Sequence, residues 1–236
     1  MNKEYTDLVN HIMQYGIDQD CRNGSQRIIP HWSFTLDFSK SIDSAKLNLR
    51  RMYYGGVLGE FKTLIDPTPL TNVSQFEANG CNYWKDWAAE DGSITIDYAN
   101  QMHPQLENLI EDIKTDPTSR RLMIDLWNPE NVRDGSLSLP CCWHNLTFSV
   151  IAGVLHLKWT QRSVDTMIGL PADIFLAYLF MGYVVSETKL AMGTCMFALS
   201  NVHIYKEHFN GAECILERYR DGGDYSDKPI KFKLKE

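Results

Sequence analysis

The stretch ADIFLAYLFMGYVVSETKL, from Ala172 to Leu190, is apolar on nearly every side. A helix with no polar stripe cannot lie on a surface, so other layers must cover it all round. Segments of strand character flank it. NLTFSVIAGVLHLKWTQRS alternates through Leu146, Phe148 and Val150, turns at Ala152-Gly153, and alternates again through Leu155, Leu157 and Trp159. TCMFALSNVHIYKEH then returns to strand. Strands around a buried central helix imply an α/β or α+β fold with a substantial sheet.

The remainder of the chain fits one domain spanning residues 1–236. Residues 1 to 15 place Tyr5, Leu8, Val9, Ile12 and Met13 on one helical face. PQLENLIEDIKTD repeats Leu106, Leu109, Ile110 and Ile113 and predicts a second helix ending near Pro117. RRLMIDLW reads as a strand. A net charge of −7 argues against a general nucleic-acid binder, which would show a basic face. The N-terminus lacks the basic-then-apolar form of a signal peptide. The longest apolar run is broken by Glu187 and Lys189, so no membrane segment is expected. These features lead to an expectation of a cytoplasmic protein.

Six cysteines lack CxxC or zinc-ribbon spacing, so most are expected to be reduced core residues and no metal site is expected. The exception in context is SLPCCWHNLTF, where two thiols precede a strand. A nucleophilic thiol needs a lowered pKa, usually from a neighbouring cation. QRSVDTMIGLP, at the end of the returning strand, supplies Arg162, Ser163 and Asp165. Two inert buried thiols would fit the same text.

Read together, DPTSRRLMIDLWNP, LPCCWHNLTF, QRSVDTMIGLPADI and SNVHIYKEH resemble the thymidylate synthase family, including its pyrimidine nucleotide hydroxymethylases. CRNGS, GEFKTLI and YWKDWAAEDGSITIDYANQ match more weakly, so the likeness covers nearly the whole chain. It implies a large mixed sheet with a buried central helix, in a sheet-to-sheet homodimer. It implies 5,10-methylenetetrahydrofolate as carbon donor and a pyrimidine nucleoside monophosphate as substrate.

Carried over by residue, Cys142 resembles the nucleophile that adds to C6 of the base, since Phe148 then falls at the family's distance. Arg22, Arg162 and Ser163 resemble phosphate ligands, with Gln161 beside them. Arg120 and Arg121 resemble the pair donated across an obligate dimer interface. His203 and Tyr205 resemble the pair that binds the sugar hydroxyl. Glu60 and Tyr98 resemble members of the proton network, and Trp84, Leu139, Asp165 and Gly169 resemble residues around the folate.

Asp173 is the departure that speaks to substrate. Thymidylate synthases carry an asparagine there, which reads uracil; the family's deoxycytidylate hydroxymethylases carry aspartate. An ionised carboxylate can only accept, which suits the 4-amino group of cytosine and opposes O4 of uracil. Apart from the resemblance, an acid here would be read as the N-cap of a helix starting near Ile174. Two further departures bear on the product. Trp143 replaces the usual histidine after the nucleophile. The chain ends PIKFKLKE, placing Lys235 and Glu236 where the family has a small apolar tail. A polar closure admits water, so the expected product is hydroxymethyl-dCMP, with methylation of dCMP second.

Overall fold

The computed structural model describes residues 1–224. The strands are β1 (Ile17–Cys21), β2 (Gly24–Asp37), β3 (Met123–Asp125), β4 (Trp143–Ile151), β5 (Val154–Gln161), β6 (Val164–Asp165) and β7 (Ala191–Tyr205). The helices are α1 (Asn2–Tyr15), α2 (Tyr54–Leu64), α3 (Ser74–Ala78), α4 (Asp97–Thr115), α5 (Pro129–Asp134), α6 (Gly169–Thr188) and α7 (Phe209–Arg220). All seven strands form one mixed sheet in the order β1-β2-β7-β5-β4-β3, with β6 against β7.

The central hairpin follows from its turn. Ala152 and Gly153 have φ of 51° and 78°, and two successive positive values give the tight connection whose twist matches paired strands. β5 and β7 run parallel, so the chain must cross over the sheet between them. The apolar helix α6 makes that crossover, with Ile174, Leu176, Ala177, Phe180, Met181 and Val184 all buried. By length and composition α6 could cross a membrane; here it packs against α2, α4, β5 and β7.

Several elements differ from the sequence reading. α6 begins at Gly169, five residues before Ile174, because Pro171 fits a first helical turn, where an N–H is not needed. Asp173 therefore lies inside the helix and does not cap it. α4 begins at Asp97 and tolerates Pro104 in its interior. Only Met123–Asp125 of RRLMIDLW pairs as strand, leaving Arg120 and Arg121 exposed ahead of it. Cys21 and Cys214 are exposed, whereas Cys81, Cys141 and Cys195 are buried. The Lys235–Glu236 terminus lies outside the described residues.

The long strand β2 is hidden in sequence by Pro30, which cannot donate to a ladder. Pairing with β7 runs Ile29 to Val202 and His31 to Ser200, passing over Pro30 and its opposite number Asn201. Asn201 has φ of 48°, and its side-chain amide donates to the Arg162 carbonyl at 2.8 Å. On one sheet face, in-register pairs align Thr35, Met196, Lys158 and Thr147, the first three of them exposed.

Candidate active site

The ends of β4 and β5 bring the thiol and the cation together. Trp143 pairs with Gln161, so Cys142 and Arg162 lie side by side just beyond the ladder, and the Arg162 N–H donates to the Cys142 carbonyl at 2.9 Å. The Arg162 guanidinium donates to the Cys141 carbonyl at 2.8 Å and the Pro140 carbonyl at 3.0 Å. It also lies over the Trp127 ring, 5.2 Å from its centroid. These contacts hold the cation against the cysteine loop.

Burial nevertheless pushes the Cys142 thiol pKa up; Arg162 and a hydrogen bond from Tyr98 oppose the rise, while Asp173 and Asp165 add to it. Arg162 thus favours the thiolate, as expected of a neighbouring cation, and burial acts against it. The neighbouring Cys141 is 2% exposed and its pKa is raised further, chiefly by burial, which makes it the inert thiol of the two. The Tyr98 hydroxyl accepts the Cys142 backbone N–H at 2.5 Å, tying α4 to the nucleophile loop. Tyr98 is 3% exposed and burial lifts its pKa well above the usual phenol range.

A carboxylate in α6 acts on this thiol, and a second, in α2, acts on the first. In α6, Asp173 Oδ2 accepts from Gln161 Nε2 at 2.8 Å. Its pKa is pushed up to about 8, first by burial and then by Glu60, with Gln161 pulling the other way. In α2, Glu60 accepts from Tyr83 Oη at 2.5 Å and from Trp84 Nε1 at 2.9 Å. Glu60 is buried and its pKa is likewise raised by desolvation, against the pull of those two donors. Tyr83 was not legible as a site residue: in the sequence it is one aromatic among several in NYWKDW, and its only signal is that a buried phenol needs a partner.

The turn between β5 and α6 is fastened from the N-terminal part of the chain. Tyr5 Oη donates to the Thr166 carbonyl at 2.9 Å, and Arg50 hydrogen-bonds the Met167 carbonyl. Asp165 Oδ1 accepts from the N–H groups of Met167 and Ile168 at 2.9 and 3.0 Å, closing the turn. β6 sets Asp165 beside His203 in the ladder. His203 Nδ1 lies 2.8 Å from the Asn201 carbonyl, which can only accept, so Nδ1 carries a proton. The Tyr205 ring stands 5.0 Å from that of His203, and Asn23 hydrogen-bonds its hydroxyl.

Tyr205 lines an open pocket of about 250 Å³ with Asn23, Gly24, Ser25, Lys206 and Glu207. Arg22 is exposed in the β1–β2 turn next to Asn23, at the rim of this pocket. Ser163 is half-buried in the turn after Arg162. Arg120 and Arg121 stand apart from these groups, exposed before β3. The structure thus joins Cys142, Arg162, Gln161, Asp173, Glu60 and Tyr98 through direct bonds and charge interactions.

The residues expected around folate fall into two kinds. Trp84 is 5% exposed, stacked on Phe76 at 5.1 Å and bonded to Glu60, whereas Trp87, 5.4 Å from it, is 39% exposed. Leu139 is half-buried in a loop clipped to the start of α4 by Ser138, whose N–H donates to the Thr95 carbonyl at 2.8 Å. Gly169 opens α6, where a side chain would meet Asp173 Oδ2 at an ordinary 3.6 Å.

Residues 3–225 match the family model for thymidylate synthase. The thermostable thymidylate synthase A from Bacillus subtilis superposes with a TM-score of 0.81 at 22% identity, over 92% of this chain and 83% of that one. At that identity the superposition speaks for the fold. The family match spans almost the whole chain, which therefore belongs to the thymidylate synthase family, one-carbon transferases that use 5,10-methylenetetrahydrofolate and bind a nucleoside monophosphate.

Proposed function

We propose that this enzyme hydroxymethylates C5 of deoxycytidine 5′-monophosphate. The observation that carries the reading is Asp173: a carboxyl group in α6, bonded to Gln161 and electrostatically coupled to Cys142. Its raised pKa leaves one proton for Asp173 and cytosine N3 to share near neutrality. In either location the proton gives the same pattern, with N3 and a carboxyl oxygen joined by it and the 4-amino group donating to the other oxygen. The shared proton also withdraws electrons from C6.

Cys142 adds to C6, which makes C5 nucleophilic. The thiol loses its proton to solvent water as it attacks, and Arg162 and the Tyr98 hydroxyl both favour the sulfur anion. Arg162, Ser163 and Arg22 take the phosphate with charge-assisted hydrogen bonds. Arg120 and Arg121 reach the partner's phosphate in a homodimer, and their exposure ahead of β3 supports that role. His203 Nε2 accepts from the sugar hydroxyl, with Tyr205 beside it. Glu60 holds or releases a proton near the base under the control of Tyr83 and Trp84. Bound folate, held by Trp84, Leu139, Asp165 and Gly169, supplies the one-carbon unit.

Hydroxymethyl rather than methyl requires water at the new carbon. The Tyr83 hydroxyl on Glu60 makes that wall polar and supports the wetter outcome. The buried, retained Trp84 favours the second reading, methylation of dCMP. A cytoplasmic location accords with either. Competition among dCMP, CMP and dUMP, with product masses recorded, tests the proposal. The expected result is preference for dCMP over dUMP of roughly tenfold or more, the worth of one opposed buried polar contact, and a mass gain of one CH2O unit. Preference for dUMP overturns the base assignment, and a methyl gain overturns the product. Absence of tritium release from C5-labelled dCMP, equally in wild type and Cys142→Ser, overturns catalysis itself.

A further inference from the structure

Trp159 lies two residues before Gln161 in β5, so both side chains project from one face of the strand. Trp159 is fully buried, with ring contacts to Trp143, Phe180 and Phe197. Its indole nitrogen donates to Gln161 Oε1 at 3.1 Å, and Gln161 Nε2 donates onward to Asp173 Oδ2 at 2.8 Å. An indole N–H has no acceptor capacity. The amide oxygen of Gln161 must therefore face Trp159, and its NH2 group must face α6. Gln161 is 1% exposed, so no water is at hand to satisfy the flipped arrangement.

We propose that Trp159 is a positioning residue for base recognition: through Gln161 it makes Oδ2 of Asp173 a standing acceptor and so fixes the order in which donor and acceptor meet the nucleotide base. The identity of that base rests on the dCMP reading above; the ordering device does not.

The need for such a device comes from the carboxyl group itself. A protonated carboxyl can present donor and acceptor in either order. One order complements N3 and the 4-amino group of cytosine; the other complements N3–H and O4 of uracil. Burial, and then Glu60, push the Asp173 pKa up to about 8, so the ambiguity bears on neutral pH. An NH2 group aimed at Oδ2 removes it, because the proton then belongs on Oδ1. The other groups acting on this carboxyl are Glu60 from α2, Asp165 from β6, Tyr98 from α4 and Cys142 from the loop before β4. Of the influences on its titration, Gln161 alone favours the ionised form.

Trp159→Phe keeps an aromatic filler and deletes the N–H. In ligand-free protein, the carboxyl 13C titration of Asp173, assigned by its loss in Asp173→Asn, should move to higher pH in this variant. The ratio of kcat/KM for dCMP to that for dUMP should narrow roughly tenfold, as expected when one amide hydrogen bond no longer sets the order. A folded Trp159→Phe enzyme with the wild-type ratio overturns the proposal, whatever its titration midpoint. If the variant fails to fold, the wild-type indole 1H–15N resonance of Trp159 decides: it should titrate with the Asp173 midpoint, and a flat response overturns the proposal. A wild-type preference for dUMP defeats the dCMP reading alone, since Trp159→Phe must then narrow that opposite preference.

Discussion

The walls built on α2 and α6 each carry a carboxylate, buried in the first and half-buried in the second, and they hold it differently. Glu60 in α2 receives a donor at each oxygen, from the Tyr83 hydroxyl and the Trp84 indole. Among the described residues, Asp173 in α6 receives one, at Oδ2, from an amide. Both groups have pKa values raised by burial. The same chemical change, carboxylate to amide, should therefore have opposite consequences at the two positions. Full pairing marks Glu60 as a fixed part of the wall, whereas partial pairing leaves Asp173 an oxygen to offer a ligand.

The largest expected effect is at Asp173. Asp173→Asn, with its oxygen kept on Gln161, holds donor and acceptor in the same order but has no proton to share with cytosine N3. Turnover of dCMP should fall on the order of 100-fold, about 3 kcal/mol, as the shared proton is lost, while dUMP stays a poor substrate. Steady-state kinetics on both nucleotides checks this, and equal losses on both would erase the distinction between the walls. Next comes Glu60→Gln, which offers one oxygen to two donors and sets its NH2 group against one of them. It should destabilise the fold by about 1–3 kcal/mol and slow both substrates alike. Chemical denaturation is the measurement, and a neutral result would mean that the Tyr83 and Trp84 bonds do not hold Glu60.

The smallest effect concerns pH. For a carboxylate whose folded pKa exceeds its unfolded one, the native state holds more protons than the unfolded state across the interval between them. Stability then falls as pH rises through that interval and levels off above the folded pKa. For Asp173 the interval runs from an ordinary 3.8 to about 8. Asp173→Asn should flatten part of this decline, leaving the share due to Glu60. The gain should be about 1 kcal/mol at pH 8, after discounting for solvent access to a half-buried group. Thermal melts across the interval give the answer, and parallel curves for variant and wild type would place the charge elsewhere.

Half of this frame is legible in the sequence because it rests on short-range patterns. The hairpin shows its alternation and its Ala152-Gly153 turn, and α1 shows its apolar face, since each depends on neighbours a few residues apart. β2 does not show, because Pro30 interrupts its pattern and the compensation lies far away at Asn201. The start of α6 is misplaced because GLP reads as a loop until Pro171 is seen as a first-turn residue. At the site, Cys142, Arg162 and Asp173 stand in motifs and can be named from them. Tyr83 and Trp159 cannot: each matters through a bond to a residue brought near only by folding, and a lone aromatic carries no mark of its partner.

The fastening of the Thr166–Met167 turn by Tyr5 and Arg50 bears on the timing of synthesis. The first helix made must wait for a turn more than 160 positions later, and β2 must wait for β7 to supply its ladder. His203 and Tyr205, near the end of β7, complete the constellation last. A ribosome-bound chain shorter than about this length therefore carries the thiol but not the pocket. Contacts of such sequence separation make for slow folding, and a long strand edge stays open meanwhile. Chaperone demand should accordingly peak late in translation, after α6 emerges and before β7 closes the sheet.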